Sequence, residues 1–113
     1  KRGVRVIAFT SLPYTRRVAS LHPSGKRLCQ AADVVIDLGV PYGDAAVNID
    51  GVGHRVLPLS GVATLLSGWI LWECVVGRMA RAGNPPTTFM SLNRKGGKEY
   101  YDKAKTQFKE RGY

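Results

Sequence analysis

Residues 4–28 read VRVIAFTSLPYTRRVASLHPSGKRL. The β-branched run from Val4 to Phe9 breaks into the hydroxyls of Thr10 and Ser11, and basic residues gather just beyond. A short apolar run of this kind reads as a strand buried on both faces, as in parallel sheets. A second such run, DVVIDL, occupies 33–38. Between them, SGKRLCQAA at 24–32 has helix character. Ser24 can cap its start, and Leu28, Ala31 and Ala32 supply one apolar face. Strand, loop, helix and strand make a βαβ unit with parallel strands and a right-handed crossover. The fold class is therefore α/β.

Open parallel sheets bind ligands outside the carboxyl ends of their strands. Thr10 and Ser11 lie there and can donate to phosphate oxygens. Ser24, Gly25 and Lys26 would open the crossover helix, where free N–H groups and the macrodipole favour an anion. Gly25 permits close approach and Lys26 adds a mobile charge. These five residues are the candidate ligand-binding set, expected to converge on one phosphate-sized space. The plainer reading is a turn whose hydroxyls satisfy their own backbone, followed by a capped helix with solvated charges. No Walker glycine precedes the SGK, so it is not a P-loop.

The chain continues through an irregular loop after Gly39, with a small hairpin expected at 46–49 against 55–57. Pro58 and Ser60 open the longest predicted helix, 59–82, closed by Gly83 and Pro85. From Val62 to Val76 its only charge is Glu73. A helix apolar on nearly every side is normally buried on both sides. One modest domain has too little else to cover it, so it implies a subunit interface or a further part of the polypeptide. Polar interruptions from Ser60 to Glu73 argue against a membrane span. TTFMSL at 87–92 reads as a last short strand or an extended tail. The segment 97–113 reads as an amphipathic helix with Tyr100, Tyr101, Ala104 and Phe108 near one stripe.

The 113 residues are 44% hydrophobic and carry a formal net charge of +9. Size and composition fit a single domain, 1–113. The excess is spread out: residues 1–56 hold eight Lys/Arg against four Asp/Glu, and residues 57–113 hold nine against four. A diffuse charge is weaker support for nucleic-acid binding than a stripe. The tail mixes Lys with Tyr and Phe, but Glu99, Asp102 and Glu110 interleave with them, as on a solvated helix face. Cys29 and Cys74 form no CxxC pattern and read as reduced, buried small hydrophobes, which fits a cytoplasmic protein. Neither a metal site nor a cofactor motif is expected.

The stretches VIAFTSLPYT, HPSGKRLCQAADVVIDLGVPYG and GDAAV resemble the second half of a sugar isomerase (SIS) domain. More narrowly they resemble an uncharacterised bacterial branch of phosphosugar isomerase- and etherase-like proteins. The resemblance runs from about Val6 to Phe108. It implies a flavodoxin-like parallel sheet between helices, with ligand phosphate held by two hydroxyl-rich βα loops. It also implies a phosphorylated sugar as ligand and a dimer as assembly. The family's first loop, a strand followed by a Ser-Gly-rich turn, has no counterpart here, so the chain reads as the C-terminal portion of such a domain. The implied reaction is aldose–ketose phosphate isomerisation or cleavage of a sugar-phosphate ether. No catalytic residue is identified. His22, before the expected helix start, and Glu73, the lone acid of the apolar helix, are the candidates for acid–base work. The competing classes are a regulatory domain that senses a sugar phosphate, and a small basic nucleic-acid-binding protein.

Overall fold

The computed structural model describes residues 3–113. They form β1 (Ile7–Thr10), α1 (Leu12–Thr15), α2 (Leu28–Ala31), β2 (Val34–Asp37), β3 (Ala45–Val47), β4 (Val56–Pro58), α3 (Ser60–Arg81) and α4 (Gly97–Arg111). The architecture is mixed α/β. It divides into two compact units, Lys1–Ile70 and Leu71–Tyr113, with the boundary inside α3.

In the first unit β1 and β2 pair in parallel, Ile7 with Val34 through Thr10 with Asp37. The Asp33 carboxylate prolongs the ladder by accepting from the Val6 amide at 2.8 Å, while the Asp33 and Val34 amides donate to the Val6 carbonyl. β3 and β4 form a separate antiparallel pair, with Ala45 opposite Pro58 and Val47 opposite Val56. This is the expected hairpin in a slightly shifted register, with Pro58 at the ladder's end.

The crossover differs from expectation. A helix over 24–32 is reduced to the four residues of α2, preceded by Arg27. Gly25 adopts φ +67, a left-handed conformation that no right-handed helix contains, and its amide donates to the His22 carbonyl at 2.9 Å. Segment 22–26 is therefore a turn, and Ser24 caps nothing. The one-turn α1 was not expected. Ser11 caps it, its hydroxyl accepting from the Tyr14 amide at 3.3 Å, and Pro13 sits in its first turn.

The strands are not buried on both faces. In β1 only Ala8 is buried, and β2 contains no buried residue. A sheet of two short strands has no further layer to cover it.

α3 runs 22 residues and contains no buried residue. It ends in a Schellman motif: the Asn84 amide donates to the Met79 carbonyl at 2.9 Å and the Gly83 amide to Ala80 at 3.0 Å, with Gly83 at φ +74. In the second unit, residues 84–92 run alongside α4 without forming a strand. Phe89 packs on Tyr101 with ring centroids 5.3 Å apart, and the Thr88 and Tyr100 hydroxyls lie 3.1 Å apart. Ala104 and Gly97 are the buried positions of α4. The cysteines depart from expectation as well. Cys29, on α2, is half-buried, and Cys74 is exposed on α3, which contains no buried residue.

Candidate functional site

The carboxyl end of β1 opens into a cleft of about 340 Å³. Phe9, Leu38 and Val40 form its apolar wall, and Thr10, Ser11, Tyr14, Thr15, Asp44, Ser60 and Thr64 supply polar groups. Each arrives from a different local cause. Thr10 is the last residue of β1, and its hydroxyl lies 3.4 Å from that of Thr15 at the end of α1. The Ser11 hydroxyl donates to the Val40 carbonyl while capping α1, which fixes this corner to the segment after β2. Ser60 and Thr64 come from the first turns of α3.

Two carboxylates hold the site's frame. Asp37, at the end of β2, accepts from the Gly39 amide at 2.9 Å and the Leu12 amide at 3.0 Å. Those two bonds, aided by the charge of Arg16, hold its carboxyl below the ordinary value. Asp44 spans the base of the hairpin. Its Oδ2 accepts from the Ser60 hydroxyl at 2.6 Å and its Oδ1 from the Ser60 amide at 2.7 Å. Its carbonyl accepts from the Leu59 amide at 2.9 Å. The Ser60 hydroxyl, then these amides, push the Asp44 carboxyl below its ordinary value. Asp44 thus caps α3 from outside the contiguous chain and presents an ionised carboxylate to the cleft.

Of the residues the sequence nominates, Thr10 and Ser11 line this cleft. Ser24, Gly25 and Lys26 do not: they sit in the exposed turn that the crossover forms in place of a helix start. The Ser24 hydroxyl is 2.7 Å from His22 Nδ1 and accepts from the Lys26 amide at 3.3 Å. His22 Nδ1 also accepts from the Ser24 amide at 3.2 Å, so this nitrogen is engaged within its own turn. Glu73 is exposed on α3, and Arg78 forms no ion pair with it. The sequence alone does not mark Thr15, Ser60 or Thr64 as site residues. The signal for Thr15 was the Ser11–Pro13 helix start. No local signal pairs Ser60 with Asp44.

Among the described residues no group of three or more His, Cys, Asp or Glu could hold a metal ion. The cleft can offer hydroxyl donors and acceptors around an apolar wall, with one fixed negative charge at the α3 end.

No family model matches the chain. It is similar to UPF0309 proteins of several bacteria. It is 34% identical over 113 residues to one from Oceanobacillus iheyensis, a match that spans 97% of this chain and 45% of that protein. To one from Shouchella clausii it is 34% identical over 103 residues, spanning 88% of this chain and 41% of the relative. To one from Streptomyces avermitilis it is 30% identical over 109 residues, spanning 96% and 43%. The chain spans less than half the length of each of these relatives.

Proposed function

We propose that this chain contributes the phosphosugar-binding half-site of a SIS-type protein. The observation that carries the reading is the hydroxyl-lined cleft at the carboxyl end of a parallel strand pair, where open α/β sheets place their ligands. The Thr10 and Thr15 hydroxyls suit phosphate oxygens, because they can turn to donate, while Ser11, engaged with Val40 and Tyr14, shapes the corner. Asp44 and Ser60, at the α3 end, suit the sugar's hydroxyls, since an ionised carboxylate accepts from them and repels a phosphate. The resemblance to SIS sequences supplies the reaction class, isomerisation of a sugar phosphate or ether cleavage, carried by the complete protein. In this reading the two-stranded sheet is part of a larger flavodoxin-like one, the exposed faces of α3 are covered by protein, and the protein is cytoplasmic. Relatives more than twice as long are consistent with a sheet completed elsewhere in the polypeptide.

Calorimetric titration of the natural polypeptide containing this chain, with hexose and aminosugar 6-phosphates, tests it. One member of the panel should bind, and Thr10→Val or Thr15→Val should each weaken it by about 1 kcal/mol, roughly fivefold. Valine keeps the shape and removes the hydroxyl. Unchanged affinity in the double variant would remove this cleft from the binding site.

A further inference from the structure

The cleft has a charge problem. Its lining carries one ionised carboxylate, Asp44, and no Lys or Arg. A dianionic phosphate entering beside a fixed negative charge needs a cation to make the balance favourable. Two arginines follow Thr15 directly. Arg16 is the C-cap residue of α1, and its charge makes a minor contribution at Asp37. Arg17 is held differently. Its Cζ lies 5.8 Å from the centroid of the Tyr42 ring. Tyr42 in turn packs on Tyr14, with centroids 5.2 Å apart and planes tilted by 42°, and Tyr14 lines the cleft. A chain of contacts therefore leads from the cleft wall through two rings to one guanidinium. Tyr42 is 54% exposed, a large fraction for a ring whose only role is packing.

We infer that Arg17, positioned by Tyr42, is the anion-recognising side chain at the mouth of this cleft, and that the pair makes the cleft selective for phosphorylated over neutral sugars. This rests on the phosphosugar reading of the cleft. The contact with the Tyr42 ring face restrains the guanidinium without using a hydrogen-bond donor, and a restrained side chain loses less freedom on binding a phosphate. Arg17 needs no buried partner for this, because its target arrives with the ligand. Tyr42 acts only through Arg17 and is a positioning residue.

The test is calorimetry on the natural polypeptide containing this chain, with glucose 6-phosphate, fructose 6-phosphate, glucosamine 6-phosphate and the corresponding free sugars. Arg17→Ala should weaken sugar-phosphate binding about tenfold or more, as loss of a charge-assisted contact does. It should leave any affinity for the free sugar unchanged. Arg17→Lys should recover part of the loss, since it restores charge without the planar fork. Tyr42→Leu should approach Arg17→Ala, and Tyr42→Phe, which keeps the ring, should match wild type. Arg94→Ala, in the second unit, removes the same charge far along the chain and should have no effect. Equal affinity for sugar phosphate in wild type and Arg17→Ala would overturn the role of Arg17 and leave the cleft reading standing. Equal weakening by Arg94→Ala would overturn it too, reducing the effect to net charge. A wild type that binds none of the three phosphates overturns both.

Discussion

Asp44 does the work of a helix cap without being the residue before the helix. Sixteen positions separate it from Ser60, yet it takes both the amide and the hydroxyl of that residue. An acidic group beside the first turn also suits the helix dipole. Its backbone sits at φ +61, a region Asp tolerates better than most residues. Asp37 plays the matching role between β2 and α1. Both carboxyls have folded pKa values below the ordinary 3.8. A lowered folded pKa means that the stabilisation is complete above the unfolded value and is lost as pH falls through the folded one. The wild-type chain should therefore lose thermal stability below pH 3.8. Asp44→Asn should melt lower than wild type at neutral pH but lose less on further acidification. Melts followed by circular dichroism across that range decide it; parallel curves for variant and wild type would show that Asp44 titrates as a solvated group. The sequence marks Asp44 as part of GDAAV but not what it caps, since a cap from a distant loop leaves no local spacing to read. Thr10 and Ser11 were legible because position at a strand end is local information. Ser24 and Lys26 misled for the opposite reason: Ser-Gly before a short apolar pattern matches a helix start, and only the left-handed Gly25 shows that the chain turns instead.

Among the elements, those with a long period were readable. α3 was expected over 59–82 and spans Ser60–Arg81; α4 and the parallel pairing of β1 with β2 also follow from pattern. α1 did not follow, and α2 is one turn of a longer expected helix, since a single turn has no periodicity and its caps decide its existence. α4 shows how one glycine can govern the docking of an element. A Cβ at Gly97 would stand 2.2 Å from the Ser91 carbonyl oxygen and 3.1 Å from Leu92 Cα. Both are backbone atoms, so the segment itself must move. Gly97→Ala should raise helix propensity and nevertheless destabilise the second unit by about 1–3 kcal/mol, as overpacking does. Gly61→Ala, in α3 with nothing within 4 Å of the added Cβ, is the control, and it should be neutral or stabilising. Urea titrations in which both substitutions stabilise equally would mean that α4 does not close on residues 91–92.

For the molecule as a whole, the question is what covers α3. Val62, Leu65, Leu66, Trp69, Ile70 and Trp72 are each 54–67% exposed. A large apolar side chain left half in water forgoes about 1 kcal/mol, so six of them amount to much of the 5–15 kcal/mol that holds a typical domain. An apolar patch of this extent is what interaction surfaces present. By length and composition the helix could also cross a membrane. Against that stand Glu73 and Arg78 within it. The cover we propose is a second copy of the chain or further polypeptide. In either case the 113-residue chain by itself, at micromolar concentration, should associate in sedimentation equilibrium. Leu65→Lys with Trp69→Lys should shift it toward monomer, since one turn of the helix then carries two charges that an apolar contact cannot accommodate. Flotation with phosphatidylcholine vesicles in place of self-association would favour the bilayer. A stable monomer that unfolds cooperatively would mean that α3 needs no cover, and that the fold's core lies among side chains other than these.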